Sequence, residues 1–415
     1  MPHTLVNQGP PPSAAQLRVN RLLTQVASFL VAAGSGFVVT VNAYVESFSL
    51  ANLGAVILVL LVLHLLMYPR FVFPREFVLY AGLVGYFTIE LAWTDDVGLA
   101  MNTLVPAITF LLVLIQFAAL ATYHDVRAML AGTLGGFLVG MALYTRISGF
   151  PFVYPAGFSY NAIAGMYLIG LFVAALSTRY TRSKAPGLVV AAVFWLLIVA
   201  TTSIKTNLGI ALGIMAAGLM YSRHVGKVFG RTAVLLVALA SVVALALTAN
   251  DALMKRLQEG SDRIAIGIEV LESRDDVEGY AAFDSRARWL SEGLSGWARN
   301  PLFGHGVEAF RARFGSTSHS TPVDLLYNSG IIGAGLFYGM FLSLGWRLFQ
   351  SRDRSSSGVR AIVFGGLVCY LSVTLSGTMH YNPFLAVFIA ISTALLSRPR
   401  LRSIRDRVAT QPAQP

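Results

Sequence analysis

Long apolar runs, separated by short polar connections, recur along almost the whole chain. A run of about 16 to 25 residues forms a helix long enough to cross the roughly 30 Å of hydrocarbon in a bilayer, because a helix rises about 1.5 Å per residue. The pattern therefore predicts an all-α polytopic membrane protein with twelve transmembrane helices. They are expected near residues 22–41, 49–68, 76–93, 103–122, 127–145, 159–177, 186–203, 207–222, 232–249, 323–346, 359–376 and 383–397.

The amino-acid composition excludes an ordinary soluble protein. Hydrophobic residues make up 55% of the chain, charged residues only 12%, and the mean hydropathy is +0.65, whereas soluble domains carry about 25% charged residues. The net charge of +11 does not indicate nucleic-acid binding, because no stretch is rich enough in charge to form a basic face on a soluble domain. Cys369 is the single cysteine, so no disulfide forms within the chain and a cysteine-based metal site is not expected.

The distribution of Lys and Arg predicts the orientation in the membrane, since basic connections stay in the cytoplasm. Most of the 31 basic residues lie in connections on one side, which we assign to the cytoplasm together with both termini. No small-residue cleavage site follows the first apolar run, so we expect it to remain as the first span. The predicted organisation is a cytoplasmic tail at 1–21, nine spans within 22–249, a large outward loop at 250–322, three spans within 323–397 and a basic cytoplasmic tail at 398–415.

The large outward loop contains one segment with clear helical periodicity. Apolar residues repeat at helical spacing around 281–298, and the Pro- and Gly-rich stretch "NPLFGHG" then breaks the pattern. We expect one or two helices that lie on the membrane face. No internal repeat is visible, and a single large loop argues against two matched halves, which disfavours a major-facilitator-type transporter.

Basic residues on the outer side need an explanation other than topology. Lys205, in a short outer turn, either serves a polar cavity or extends to the lipid headgroups. Arg286 and Arg288 either form surface ion pairs on the loop helix or belong to a cationic site, since guanidinium groups bind phosphates well. Asp95 with its neighbour Asp96 forms an outer acidic pair, which is either a solvated loop or a catalytic or sugar-binding group.

The stretch "STSHSTPVDLLYNSGIIG" marks the junction between the loop and the tenth span. Thr321, Pro322 and Asp324 fit a helix N-cap, a first-turn proline and the acid of a capping box. His319 lies just before this cap and is not explained by it. It is either a solvated loop residue or a general base, because imidazole gains and loses protons near neutral pH.

Two segments together resemble the O-antigen ligase and O-antigen polymerase superfamily of bacterial envelope glycosyltransferases. They are "DSRARWLSEGLSGWARNPLFGHGVEAF" and "SHSTPVDLLYNSGIIGAGLF", and they match the family's S-R, N-P-L-x-G-x-G, H-N-x-x-L and G-x-x-G elements in order and spacing. Blocks near 158–170 and 201–212 are similar to two further family motifs. Ser320 replaces the family's Asn after the histidine, and the basic residue of the family's S-R-G turn corresponds at best to Lys205, shifted by one position.

The resemblance implies a GT-C-like fold and a periplasmic site in the bacterial inner membrane. The substrate would be an undecaprenyl-diphosphate-linked oligosaccharide, with no metal or cofactor and a chain-length regulator left open as a partner. His319 would be the general base, and Arg286, with Arg288 and Lys205 as weaker candidates, would bind the pyrophosphate. Asp95, Asp324 and His305 remain secondary candidates.

The motifs do not separate a polymerase from a ligase, and polymerase is preferred only because polymerases form more lineages. An alternative from another class is a transporter or flippase of polyprenyl-linked sugars. Such a protein would carry ionisable residues deep in several spans, whereas Glu90 is close to the only acid within a predicted span and lies near its outer end.

Overall fold

A computed structural model describes residues 14–42, 50–67, 73–148, 160–181, 183–201, 203–221, 281–350 and 357–410. Within these ranges the chain is helical and forms no strand. The helices are α1 (Ala14–Asn42), α2 (Leu50–Met67), α3 (Arg75–Glu90), α4 (Val97–Tyr123), α5 (Val126–Ser148), α6 (Tyr160–Ser177), α7 (Ala185–Ala200), α8 (Ile204–Tyr221), α9 (Ala281–Arg299), α10 (Ala309–Phe314), α11 (Thr321–Gln350), α12 (Ser357–Thr374) and α13 (Pro383–Thr410).

The helices support the membrane prediction. Helices α1–α8 and α11–α13 coincide with eleven of the predicted spans, while the ninth, at 232–249, lies outside the described residues. In the described part of the chain, five helices are long and apolar enough to cross a membrane, namely α1, α4, α5, α11 and α12. Shorter apolar helices occur in α2, α6, α7 and α13. The all-helical membrane class is therefore supported, whereas the number of twelve spans and the GT-C-like arrangement stay predictions.

Close backbone contacts hold neighbouring helices together. A Cβ atom added to Gly136 of α5 would lie 2.1 Å from the carbonyl oxygen of Ala33 in α1. A Cβ atom on Gly213 of α8 would lie 2.5 Å from the carbonyl oxygen of Gly365 in α12. Glycine allows such approaches, and small residues are the usual contact between helices in lipid, where the hydrophobic effect gives no driving force.

A buried ion pair fixes the far end of α11. The Arg347 Nε atom donates to the Glu76 carboxylate at 2.9 Å, and its Nη1 atom donates to the Ser397 hydroxyl at 3.0 Å. Ser343 also donates to Glu76, at 2.7 Å. Glu76 is fully buried. These bonds therefore join α3, α11 and α13 at one end of α11. The candidate site lies at the opposite end of this helix.

Candidate functional site

The predicted loop helix is confirmed, and it packs on the first turns of α11. Cβ atoms added to Gly293 and Gly296 of α9 would lie 2.3 Å from the Val323 side chain and 2.2 Å from the Tyr327 ring, so these α11 side chains pack directly on the α9 backbone. The two helices and α10 enclose a small apolar core. This core consists of Ala309, Phe310, Val323 and Tyr327, with Trp289 and Phe314 packed against it. The segment from α9 to α11 is therefore a folded cap rather than an irregular loop.

The segment "NPLFGHG", where the helical pattern was predicted to break, forms a turn that packs against an interruption in α11. Gly330 interrupts this helix with φ 61° and ψ −161°, a backbone conformation that is essentially restricted to glycine. The break leaves the Tyr327 and Asn328 carbonyls without their usual helical donors, and the N–H groups of Ile331 and Ile332 without their usual acceptors.

The 300–306 turn satisfies these four groups. The N–H groups of His305 and Gly306 donate to the Tyr327 and Asn328 carbonyls at 3.0 and 2.8 Å. The Ile331 N–H group donates to the Pro301 carbonyl at 2.9 Å, and that of Ile332 to the Leu302 carbonyl at 3.4 Å. The turn and the interrupted helix thus form a single unit, which accounts for the glycines in both motifs.

The His305 side chain contacts both α9 and α11. Its Nε2 atom lies 2.9 Å from the Gly296 carbonyl oxygen, and its ring lies 4.7 Å from that of Tyr327. The side chain therefore joins the end of α9 to the turn and to α11. These contacts explain His305 without a catalytic role.

The capping-box interpretation of Thr321 and Asp324 is wrong. The Thr321 N–H group and hydroxyl both donate to the Gly377 carbonyl, and the hydroxyl also accepts a bond from the Met379 N–H group at 2.8 Å. The buried Asp324 carboxylate accepts from the Ser318 N–H group at 2.8 Å and from the Thr378 hydroxyl at 3.0 Å. Both side chains therefore bind the connection between α12 and α13, which no pattern within the capping motif could indicate.

His319 lies at the tip of a turn that these bonds fix. Its φ is 57°, a left-handed conformation that is rare for a residue with a side chain, and its side chain is exposed. Ser318 holds the turn from within, since its hydroxyl donates to the Ser320 carbonyl at 2.9 Å and accepts from the Ser320 N–H group at 3.1 Å. The Trp289 ring of α9 lies 5.4 Å from the His319 imidazole. Strained backbone of this kind is often found at functional sites.

Lys205 reaches the same junction from α8. Its Nζ atom donates to the Ser376 carbonyl at 2.6 Å, and the ammonium group covers Gly377, where a Cβ atom would lie only 2.6 Å from Nζ. Gly377 in turn accepts both bonds from Thr321, two residues after His319. The short 375–382 connection thus brings Lys205 and the His319 turn to one place, although they are more than a hundred residues apart in the sequence.

Three further polar residues near this junction were missed by the sequence analysis. Glu308 is buried and has a left-handed φ of 62°; one carboxylate oxygen accepts from the Thr103 hydroxyl, and the other has no partner among the described residues. Burial raises the pKa of Glu308, while Thr103 and the nearby Arg311 oppose that shift. Burial also raises the pKa of Tyr381, and the negative charges of Glu308 and Asp324 add to the effect.

His380, beside Tyr381, is buried in the same connection. The Tyr80 hydroxyl donates to its carbonyl at 2.6 Å, and its ring lies 6.2 Å from that of Phe87. Burial lowers the pKa of His380 to about 3. His380 therefore stays neutral at physiological pH. Its contacts with Tyr80 and Phe87 pack the 375–382 connection against α3.

The other sequence candidates are exposed or only partly described. Arg286 lies in α9, but its side chain is outside the described part of the structure. Arg288 is exposed on the same helix and forms no ion pair with Glu292 or another described acid. Asp95 is exposed, while Asp96 caps α4 by accepting from the Leu99 N–H group at 2.8 Å. In the part of the chain that the structure describes, no group of three or more His, Cys, Asp or Glu residues could hold a metal ion.

The comparison with protein families covers this same region. Residues 188–338 match a family model described as O-antigen ligase. The match includes most of α7, all of α8, the whole cap and the first half of α11. Lys205, Arg286, Arg288, His305 and His319 all lie inside the match, whereas the 375–382 connection lies outside it. No curated protein matches the sequence. Residues 188–338 are therefore similar to the O-antigen ligase family, which agrees with the superfamily that the motifs resemble and supports a polysaccharide-related ligase or polymerase function.

Proposed function

We propose that this protein is a GT-C-like glycosyltransferase of the bacterial inner membrane that polymerises undecaprenyl-diphosphate-linked oligosaccharide repeat units. The product would be an exopolysaccharide or O-antigen, formed on the periplasmic face, with both termini in the cytoplasm. The observation that carries the proposal is the His319 turn. It presents an exposed imidazole on a left-handed turn inside the family match, and the 375–382 connection joins this turn to Lys205.

The chemistry assigned to this site is the transfer of a sugar chain to a hydroxyl group. The acceptor hydroxyl attacks the anomeric carbon of the lipid-linked chain, and the bond between that carbon and the diphosphate oxygen breaks. The His319 imidazole takes the hydroxyl proton, and undecaprenyl diphosphate leaves with the bonding electron pair. The cationic groups of Arg286, Arg288 and Lys205 stabilise the charge that develops on the diphosphate, a role that requires no metal ion.

A ligase is the second candidate, because the matching family model is described as O-antigen ligase. A ligase would use the same donor and the same residues but would transfer the finished chain to lipid A core. The two candidates differ only in the acceptor. The transporter alternative receives less support, since Glu90 and Glu76, the acids described inside α3, each bond through one carboxylate oxygen, to Ser329 and to Arg347.

The phenotype of a deletion strain separates these functions. Loss of a polymerase leaves single repeat units on lipid A core or shortens the free polymer. Loss of a ligase leaves full-length chains on undecaprenyl diphosphate. Loss of a flippase leaves repeat units on the cytoplasmic face, where a membrane-impermeant periplasmic label does not reach them. A strain whose polysaccharides and lipid-linked intermediates are unchanged would overturn the assignment.

A further inference from the structure

One exposed face of α9 is apolar. Leu290 and Leu294 are 49% and 41% exposed, and the half-buried Trp297 follows them. At about 100° per residue, these three side chains fall within about 60° of one another on the helix surface. Gly293 and Gly296, which contact α11, lie on the adjoining face. The α9 stripe, formed by Leu290, Leu294 and Trp297, therefore borders the face that packs on the protein.

The polar exposed residues of α9 lie on a third face. Ser295 is about 140° and Arg299 about 180° away from Leu290 around the helix, and both are exposed. The helix thus has one face against the protein, one apolar face and one polar face with a cation. A helix that lies in a membrane interface has this pattern, because its apolar face contacts hydrocarbon while its polar face stays in water.

The 300–306 turn extends the α9 stripe. Leu302 and Phe303 at its tip are 56% and 51% exposed. The Trp297 Nε1 atom donates to the Pro301 carbonyl at 3.1 Å, and the Tyr86 hydroxyl donates to the Phe303 carbonyl at 3.2 Å. Backbone groups that enter hydrocarbon need partners within the protein. The tip meets this condition at both carbonyls while it presents two large apolar side chains outward.

An exposed apolar side of α11 begins where this turn is bonded. Residues Thr321–Gly330, before the break, are all buried or half-buried. After the break, large apolar side chains that are 53% to 74% exposed fall within about 60° of one another around the helix. They are Ile331, Leu342, Trp346 and Phe349. The Ile331 N–H group donates to the Pro301 carbonyl at 2.9 Å, so the turn lies at the start of this side.

The length of this part of α11 matches a bilayer. The helix continues from Ile331 to Gln350, which at about 1.5 Å per residue gives about 30 Å, the thickness of the hydrocarbon. The exposed side of this segment therefore faces lipid along its whole length. Leu302 and Phe303 lie at the level where that lipid begins.

We propose that the cap is anchored in the bilayer, with the α9 stripe in the interface and Leu302 and Phe303 inserted into the leaflet on the cap side. Lipid is the occupant of this surface because the turn adjoins the lipid-facing side of α11 through the bond between Pro301 and Ile331. The span predicted at 323–346 then begins at Ile331, after the break. The anchor does not depend on the proposed sugar transfer.

The anchor has a consequence for the candidate site. The same helix carries Trp289, whose ring lies 5.4 Å from the His319 imidazole. A leaflet that holds the α9 stripe and the tip of the turn therefore fixes the height of the His319 turn above the lipid.

Spin labelling in vesicles tests the anchor. Full-length protein with one added cysteine is labelled with a nitroxide in phosphatidylethanolamine and phosphatidylglycerol vesicles. Collisions with oxygen, which concentrates in hydrocarbon, are compared with collisions with a water-soluble nickel chelate. The test positions are Phe303→Cys, Leu302→Cys and Leu294→Cys. Because Cys369 is buried, native protein treated in the same way gives the background.

Two exposed positions supply the reference values. Leu342→Cys, on the lipid-facing side of α11, gives the oxygen-to-nickel collision ratio for hydrocarbon, and Ser295→Cys, on the polar face of α9, gives the ratio for water. We expect the ratio at Phe303→Cys and Leu302→Cys to lie close to that of Leu342→Cys. Leu294→Cys should give an intermediate ratio, clearly above that of its neighbour Ser295→Cys.

Three results would overturn the proposal. Ratios at Phe303→Cys and Leu302→Cys equal to that of Ser295→Cys would place the tip of the turn in water. A ratio at Leu294→Cys no higher than that of Ser295→Cys would remove the α9 stripe from the interface. Few collisions with either reagent at the tip would show that a second copy or another protein covers it instead of lipid.

Discussion

Replacement of Asp324 tests whether the His319 turn is held by the contacts that the structure shows. The carboxylate accepts two bonds, from the Ser318 N–H group and from the Thr378 hydroxyl. Asp324→Ala removes both acceptors and leaves the Ser318 N–H group buried without a partner. Asp324→Asn keeps the shape, since its amide oxygen can accept from Ser318 and its amide nitrogen can donate to Thr378.

The magnitudes predict different outcomes for the two variants. A hydrogen bond to a charged group contributes about 1.5–3 kcal/mol, so the two bonds stabilise the turn by about 3–6 kcal/mol. The left-handed conformation of His319 costs about 1–2 kcal/mol, which the native bonds exceed clearly. Two neutral bonds in Asp324→Asn contribute about 1–3 kcal/mol, which only balances that cost. Asp324→Ala removes this contribution and leaves only the bonds between Ser318 and Ser320 within the turn.

The assay is transfer of sugar from a lipid-linked donor by purified protein in vesicles, with thermal unfolding as a control for folding. We expect kcat/KM to fall about three- to tenfold in Asp324→Asn and about a hundredfold in Asp324→Ala. Ser316→Ala, in the same turn, is the control that should retain native activity. Native turnover in a folded Asp324→Ala protein would show that the turn does not depend on this carboxylate, and the reasoning would be refuted.

The remaining predictions concern the helix break, the buried acid and the outer cation. Gly330→Ala should lower the melting temperature and detach the 300–306 turn, because a Cβ atom would lie 2.3 Å from the Leu302 carbonyl oxygen; increased proteolysis after α9 would report this, and native protection would contradict it. Glu308→Gln should stabilise the protein increasingly as pH rises above about 4.3, since the unfolded carboxyl ionises there while burial keeps the folded one protonated to higher pH. The melting temperatures of the native and variant proteins at pH 5 and pH 8 measure this effect. If the two proteins differ by the same amount at both pH values, the prediction is contradicted. Lys205→Met should raise KM for the diphosphate-linked donor about tenfold, and Lys205→Arg should raise it much less. An unchanged KM in Lys205→Met would show that Lys205 does not bind the donor and only bonds to the Ser376 carbonyl.

The helices, including α9 in the outer loop, could be predicted from local patterns. Apolar run length is sufficient to place a helix in a membrane protein, because every backbone group in lipid must bond within the segment. The periodicity at 281–298 and the break at "NPLFGHG" likewise correspond to α9 and the turn after it. The exposure of His319 was also consistent with its place before a helix start.

The connections within the site could not be predicted in this way. Thr321 and Asp324 fit a local capping box, yet their partners Gly377 and Thr378 lie more than fifty residues further along the chain. The pattern could not reveal this, because a hydroxyl or carboxylate satisfies a local or a distant donor equally well. Glu308 gave no signal either, since neither its left-handed backbone nor its burial can be deduced from one acid in a polar loop.

His305 is another residue whose contacts could not be predicted from the local sequence. His305 was a secondary site candidate, and its ring bonds to the Gly296 carbonyl and packs on Tyr327. Only the tertiary contacts distinguish His305, whose ring bonds to Gly296, from the exposed His319.

The central claim is that His319 accepts the proton of the attacking hydroxyl. Its most direct test is single-turnover transfer from an undecaprenyl-diphosphate-linked oligosaccharide by purified His319→Ala protein, with Ser316→Ala as the matched control. We expect His319→Ala to fold and bind the donor but to lose at least about a hundredfold in rate, the contribution of a positioned general base, while Ser316→Ala keeps the native rate. Turnover at the native rate in His319→Ala would contradict the account.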